Sequence, residues 1–162
     1  QTKQLVRERK AEVAAQEALT PPPFVGAAVD LSGAPPEAQA VFRRFFGIGT
    51  PLSQDPSVVA GIAASPGVAR GRARVIRQLD ESGSFEPGDV LVCTLTAPPW
   101  TPLFAIAAAV VTDTGGILSH SAICAREFAI PCVTGTNVGT AVIPDGAVIT
   151  VDGSLGTVRI ES

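Results

Sequence analysis

His120 is the single histidine of the chain. It stands in the stretch "TDTGGILSHSAICAREFAIP", residues 112–131, between Ser119 and Ser121 and shortly after the pair Gly115–Gly116. The apolar spacing that follows predicts a short helix over 119–128, with the histidine in its first turn. An ordinary imidazole titrates at about pH 6.5, so near neutrality one ring nitrogen is free to attack phosphorus. The first turn of a helix carries N–H groups without internal partners and a partial positive charge, both favourable to an anion. Gly115 and Gly116 let the backbone approach closely and take up positive φ. Ser119 suits the N-cap, from which its hydroxyl can also reach the ring or a phosphate. On residue types alone two readings stand. Either His120 is a catalytic nucleophile for phosphoryl transfer, with Gly115, Gly116 and Ser119 stabilising the phosphate, or it is a structural histidine at a helix end.

Other chemistries fail on inventory. Cys124 lies one turn beyond His120 on the same helix face, but His120, Cys124 and Cys132 supply three ligands in no zinc spacing, so no metal is expected. A serine hydrolase lacks both G-x-S-x-G and a second histidine to act as base. No G-x-x-x-x-G-K-[ST] occurs and no lysine follows Lys10, so the clamp that commonly holds ATP phosphates is missing.

The elements that must position these residues are legible from punctuation. "SVVAGIAAS", "GRARVIR", "DVLVCTL", "AAAVVTD", "IPCVTGT", "AVITVDG" and "GTVRI" read as short strands between the turn signals "SPG", "EPGD", "PDG" and "DGSLG". Helices are expected at 101–107 and 119–128, giving a sheet-rich α/β domain over 57–162. Ahead of it, residues 1–20 read as a linker helix ended by Pro21–Pro23. Residues 21–56 read as a Pro/Gly-rich linker, carrying a short helix in "PPEAQAVFRRFFG" that stops at Gly47 and packs on a neighbour.

Composition narrows the class. The chain has 162 residues, 46% of them hydrophobic and 17% charged, enough to bury a core. A net charge of −3 gives no reason to propose nucleic acid or an anionic membrane surface as a partner. Three cysteines without a C-x-x-C spacing point to a reducing, cytoplasmic setting. A chain that opens on Gln1 and contains no methionine is expected to be a piece of a longer protein.

"GGILSHSAICAREFAIPCVTGT" resembles the signature of the mobile phosphohistidine domain of phosphoenolpyruvate-utilising enzymes, G-G-x-x-S-H-x-A-I-x-A-R-x-x-x-I-P-x-V-x-G. The matching positions are Gly115, Gly116, Ser119, His120, Ala122, Ile123, Ala125, Arg126, Ile130, Pro131, Val133 and Gly135. "GIAASPGVARGRARVI" upstream and "VIPDGAVITVDGSLGTVRI" downstream extend the likeness from about residue 57 to the end. The resemblance implies a swivelling β/β/α domain whose histidine, here His120, takes a phosphoryl group at one active site and delivers it at another. It implies no cofactor in this chain. Magnesium with ATP or phosphoenolpyruvate would belong to other domains of the parent, and the partners would be its nucleotide-binding and acceptor or pyruvate-binding domains. The isolated chain would then turn over nothing.

Arg126 falls on the signature arginine but lies roughly 120° around an ideal helix from His120, so it reads as a supporting or partner-docking residue, or as one half of a structural ion pair. Thr101 resembles in placement a threonine that bonds the active histidine in enzyme I of the sugar phosphotransferase system, or it simply opens a helix beside Pro102. Dikinases and synthases of the family usually carry threonine where this chain has Leu118, which removes regulation by threonine phosphorylation. The "ILSH" form is closer to the rifampicin phosphotransferase and phenylphosphate synthase type. The rival reading from another class is a non-catalytic interaction module that retains the fold.

Overall fold

The computed structural model describes residues 2–17, 19, 31–47 and 53–161. The chain divides into a first unit ending at Gly33 and a second beginning at Ala34. The described part of the first unit is helix α1 (Thr2–Glu17), whose apolar Leu5, Val6 and Val13 are all exposed.

The second unit opens with α2 (Pro36–Phe46), whose prolines at the start and Gly47 at φ 74° mark both ends as the sequence predicts. Helix α2, read from sequence as part of a linker, belongs to the same unit as the sheet. Eight strands follow: β1 (Val58–Ala60), β2 (Ile62–Ser65), β3 (Val68–Val75), β4 (Val90–Cys93), β5 (Ala109–Thr112), β6 (Cys132–Thr134), β7 (Val148–Asp152) and β8 (Thr157–Ile160). Helix α3 (Thr101–Phe104) lies between β4 and β5, α4 (His120–Glu127) between β5 and β6, and α5 (Gly139–Val142) between β6 and β7. The "SVVAGIAAS" run is two strands, because β1 pairs with β8 while β2 pairs with β6.

Strands β3, β4, β5 and β6 are neighbours in parallel, as expected where helical crossovers return the chain to the same edge. The remaining pairs, β3 with β7, β7 with β8, β8 with β1 and β2 with β6, are antiparallel. The order is β1-β8-β7-β3-β4-β5-β6-β2.

Period-two alternation divides the core into two layers. Leu91, Cys93 and Val110 meet Trp100 and Phe104 and, on α4, Ala122, Cys124 and Ala125. Val90, Val92, Ala109 and Val111 face the other way and share a cluster with Val59, Ile149, Val151 and Val158 of β1, β7 and β8. The antiparallel end therefore folds across the face opposite α4, which gives the β/β/α layering. Fully buried parallel strands explain why "VLVC" and "AVVT" read as unbroken apolar runs. No described helix is long and apolar enough to cross a membrane.

Candidate functional site

The site forms where β4 and β5 end, at their C-terminal edge, the usual place for function in parallel sheets. The segment after β5 carries Gly115–Ser119 into α4, and the segment after β4 carries Thr96 beside it. Asp113 anchors this loop: buried, it accepts hydrogen bonds from Thr136 Oγ1 at 3.1 Å and from the Thr140 backbone N–H at 3.0 Å. The Thr114 N–H donates to the carbonyl of Thr94 at 3.0 Å, tying the loop to the neighbouring segment.

Ser119 is the N-cap of α4; its hydroxyl oxygen accepts the Ala122 N–H at 3.4 Å. His120 is half-buried in the first turn. Thr96 Oγ1 lies 2.9 Å from Nδ1 of the ring and 2.8 Å from Ser121 Oγ. Cys124 Sγ lies 3.5 Å from Nε2 and 4.0 Å from Nδ1. A group in line with the Nε2 lone pair would be much farther from Nδ1, across the ring; the near-equal distances put the sulfur over the ring face. Phe104 presents its ring edge-on to the imidazole, 6.2 Å between centroids and 85° between planes. The imidazole is thus held at Nδ1 by Thr96 and packed by Phe104 and by Cys124, whose sulfur is the polar neighbour of Nε2. Among the described residues, the polar partners of the ring are Thr96 and Cys124, and no charged side chain is hydrogen-bonded to it.

The two glycines serve different neighbours. Gly115 has φ 107°, and a Cβ there would meet Ser119 Cβ at 2.8 Å and Oγ at 2.9 Å, so glycine is needed for the capping serine to fold back on the loop. At Gly116 a Cβ would fall 2.0 Å from the carbonyl oxygen of Phe45. The residue is glycine because α2 occupies that side, a reason other than the phosphate approach expected from sequence.

Two further residues find their places. Thr101 opens α3, the second of its two readings, and the threonine at the histidine is Thr96, five residues earlier. Arg126 faces its own fold: Nη1 donates to the carbonyl of Ala64 at 2.8 Å and Nη2 to that of Ile117 at 2.9 Å. It pins α4 to β2 and to the glycine loop, and among the described residues it makes no ion pair. Leu118 is 63% exposed beside the histidine. Thr96, Ser121 and Asp113 escaped the sequence reading, although Thr96 sits just past a buried strand, where a site residue could have been sought. Among the described residues no cluster of three or more His, Cys, Asp or Glu side chains could hold a metal ion.

Residues 85–156 match the family described as PEP-utilising enzyme, mobile domain. The chain is 55% identical over 104 residues to the uncharacterized phosphotransferase YvkC of Bacillus subtilis, a match covering 64% of this chain and 12% of that protein. It is 43% identical over 152 residues to chondramide synthase cmdD of Chondromyces crocatus, covering 94% of this chain and 4% of that one. It is 38% identical over 159 residues to the rifampicin phosphotransferase of Streptomyces sviceus, covering 98% and 17%. The chain therefore spans less than a fifth of each of these proteins.

Proposed function

Residues 85–156 are a mobile domain of the phosphoenolpyruvate-utilising enzyme family, and on that premise we propose that Nε2 of His120 carries a phosphoryl group between active sites that lie elsewhere in a longer phosphotransferase. The observation that carries this reading is the held imidazole: Thr96 stands at Nδ1 of a ring in the first turn of α4, which on this reading leaves Nε2 as the nitrogen that meets phosphorus.

In the loading step the Nε2 lone pair forms an N–P bond as the P–O bond of the donor breaks, and that electron pair departs on the leaving oxygen. Nδ1 keeps its proton and donates it in a hydrogen bond to Thr96 Oγ1, which turns its own proton to Ser121 Oγ. With the bond in that direction the free nitrogen of the ring is Nε2. In delivery an acceptor oxygen attacks phosphorus and the N–P electron pair returns to Nε2. Phosphoryl transfer needs positive charge around the equatorial oxygens, and among the described residues the hydrogen-bonding partners of the ring are the uncharged Thr96 and Cys124. A carrier has no need of its own: the donor and acceptor sites, with their magnesium, would supply it. ATP or phosphoenolpyruvate is the donor class this reading implies. The isolated chain would consume neither.

The test uses the full-length protein with labelled ATP or phosphoenolpyruvate and magnesium. Label should be lost in acid, kept in base, and absent in His120→Ala; Ser119→Ala should only weaken uptake. Acid-stable label, or label that survives His120→Ala, would make the histidine structural.

A further inference from the structure

Helix α2 lies upstream of the sheet, yet its C-terminal turn is built into the loop that precedes His120. The Ile117 N–H donates to the Arg44 carbonyl at 3.0 Å, so this loop amide is held by α2 and is not open to a phosphoryl oxygen. The Phe45 carbonyl occupies the place of a side chain on Gly116. Gly47, at φ 74°, ends α2 with its own backbone so close to the loop that a Cβ there would fall 2.7 Å from the Gly115 carbonyl oxygen. Gly135, after β6, closes the junction: a Cβ there would lie 3.0 Å from the same oxygen and 3.3 Å from Gly47 Cα. From the other side Arg126 holds the Ile117 carbonyl. Ile117 is therefore gripped at its N–H by α2 and at its C=O by α4, three residues before the histidine.

We propose that α2 is a positioning element of the phosphohistidine site, its Arg44 and Phe45 carbonyls setting the Gly115–Leu118 loop and through it the cap and first turn on which His120 is presented. This rests on the carrier reading and adds to it a dependence on a helix outside the matched segment. Helix α2 meets the loop at Ile117 and Gly116 and acts through them. A loop released from it loses the fixed geometry that lets Ser119 and the first-turn amides meet a phosphoryl group. Small misplacements of this kind are costly in transfer reactions.

The experiment takes the 162-residue chain and the small phosphoryl donor phosphoramidate, following acid-labile phosphate on His120 by phosphorus NMR. Two variants attack the junction from the α2 side: Gly47→Ala places a Cβ against the Gly115 carbonyl, and Ala40→Pro interrupts the helix. Amide exchange at Ile117 reports release of the loop, and exchange at Val92 and Val110 reports the core. Both variants should free the Ile117 amide, leave the core amides protected, and take up phosphate about tenfold more slowly than wild type, while Glu37→Gln matches wild type. Either variant labelling at the wild-type rate with Ile117 freed would overturn the proposal, as would an Ile117 amide that exchanges freely in the wild type or remains protected in both variants. The two readings fail separately. The positioning role falls here, on relative rates with a chemical donor, whereas the carrier role falls if the full-length enzyme places no acid-labile label on His120.

Discussion

Thr96 Oγ1 stands 2.9 Å from Nδ1 of His120 while its other contact, Ser121 Oγ, is at 2.8 Å, so one hydroxyl links the ring to the helix that bears it. Thr96→Val preserves shape and removes this link. The variant should show a larger share of the Nε2-protonated tautomer by nitrogen NMR of the ring and a slower phosphorylation, by about ten- to a hundredfold. Ser121→Ala should do less, since Thr96 keeps its bond to the ring. An unchanged tautomer ratio in Thr96→Val would remove the positioning role.

Arg126 donates to two backbone carbonyls, of Ala64 and Ile117, and so holds α4 against β2 and the loop. Arg126→Ala should destabilise the isolated chain by about 1–3 kcal/mol, the cost of orphaned acceptors, and lower its melting temperature by several degrees. Arg126→Lys should recover only part, because one ammonium replaces a fork with two arms. A melting temperature unchanged in the isolated chain would return Arg126 to a role in docking a partner.

Asp89 is buried and accepts from Arg72 Nε at 3.0 Å, Arg74 Nε at 3.2 Å and the Glu86 N–H at 3.0 Å. Burial acts most strongly and would raise its pKa, but the Glu86 N–H and the two guanidiniums together hold it below its ordinary value. A carboxylate depressed in the folded state contributes stability that is complete above its unfolded value, about 3.9, and is lost as pH falls through the lower folded value. Asp89→Asn should therefore cost about 1–3 kcal/mol at neutral pH, and its deficit relative to wild type should shrink below about pH 4. Denaturant melts of both proteins from pH 7 to pH 2.5 check this; a deficit that grows on acidification would contradict it.

The thiols should separate by environment. Burial foremost, with the charge of Asp113 adding, pushes Cys93 up to about 12. Cys132 is also pushed up, again chiefly by burial. At pH 8 both remain neutral and unreactive in the folded chain, which leaves only Cys124, against the imidazole, to a disulfide reagent. Colorimetric titration should find at most one thiol in the native protein and all three in denaturant. A second thiol titrated before unfolding would count against these burials.

The sequence by itself determined most of the elements and singled out His120 as the candidate residue. Alternating or continuous apolar runs between Gly, Pro and Asp turns carry strand identity locally, which is why β3 to β8 lie where "GRARVIR", "DVLVCTL", "AAAVVTD", "IPCVTGT", "AVITVDG" and "GTVRI" place them. Ser119 as N-cap and His120 in the first turn are likewise matters of a few adjacent residues. Tertiary structure decided everything that depends on chain segments meeting from a distance. Thr96 reaches the ring across 24 positions of sequence because β4 and β5 are parallel neighbours, a pairing no local pattern encodes. Gly61 divides one apparent strand into two because β1 and β2, paired with β8 and β6, lie at opposite ends of the sheet order. Gly116 offers in sequence only room for a phosphate, and the tertiary structure adds a second demand for glycine, the Phe45 carbonyl against its α-carbon. Spacing along a chain fixes direction within one helix or strand, whereas the groups that satisfy a buried donor or crowd a glycine are chosen by packing between elements.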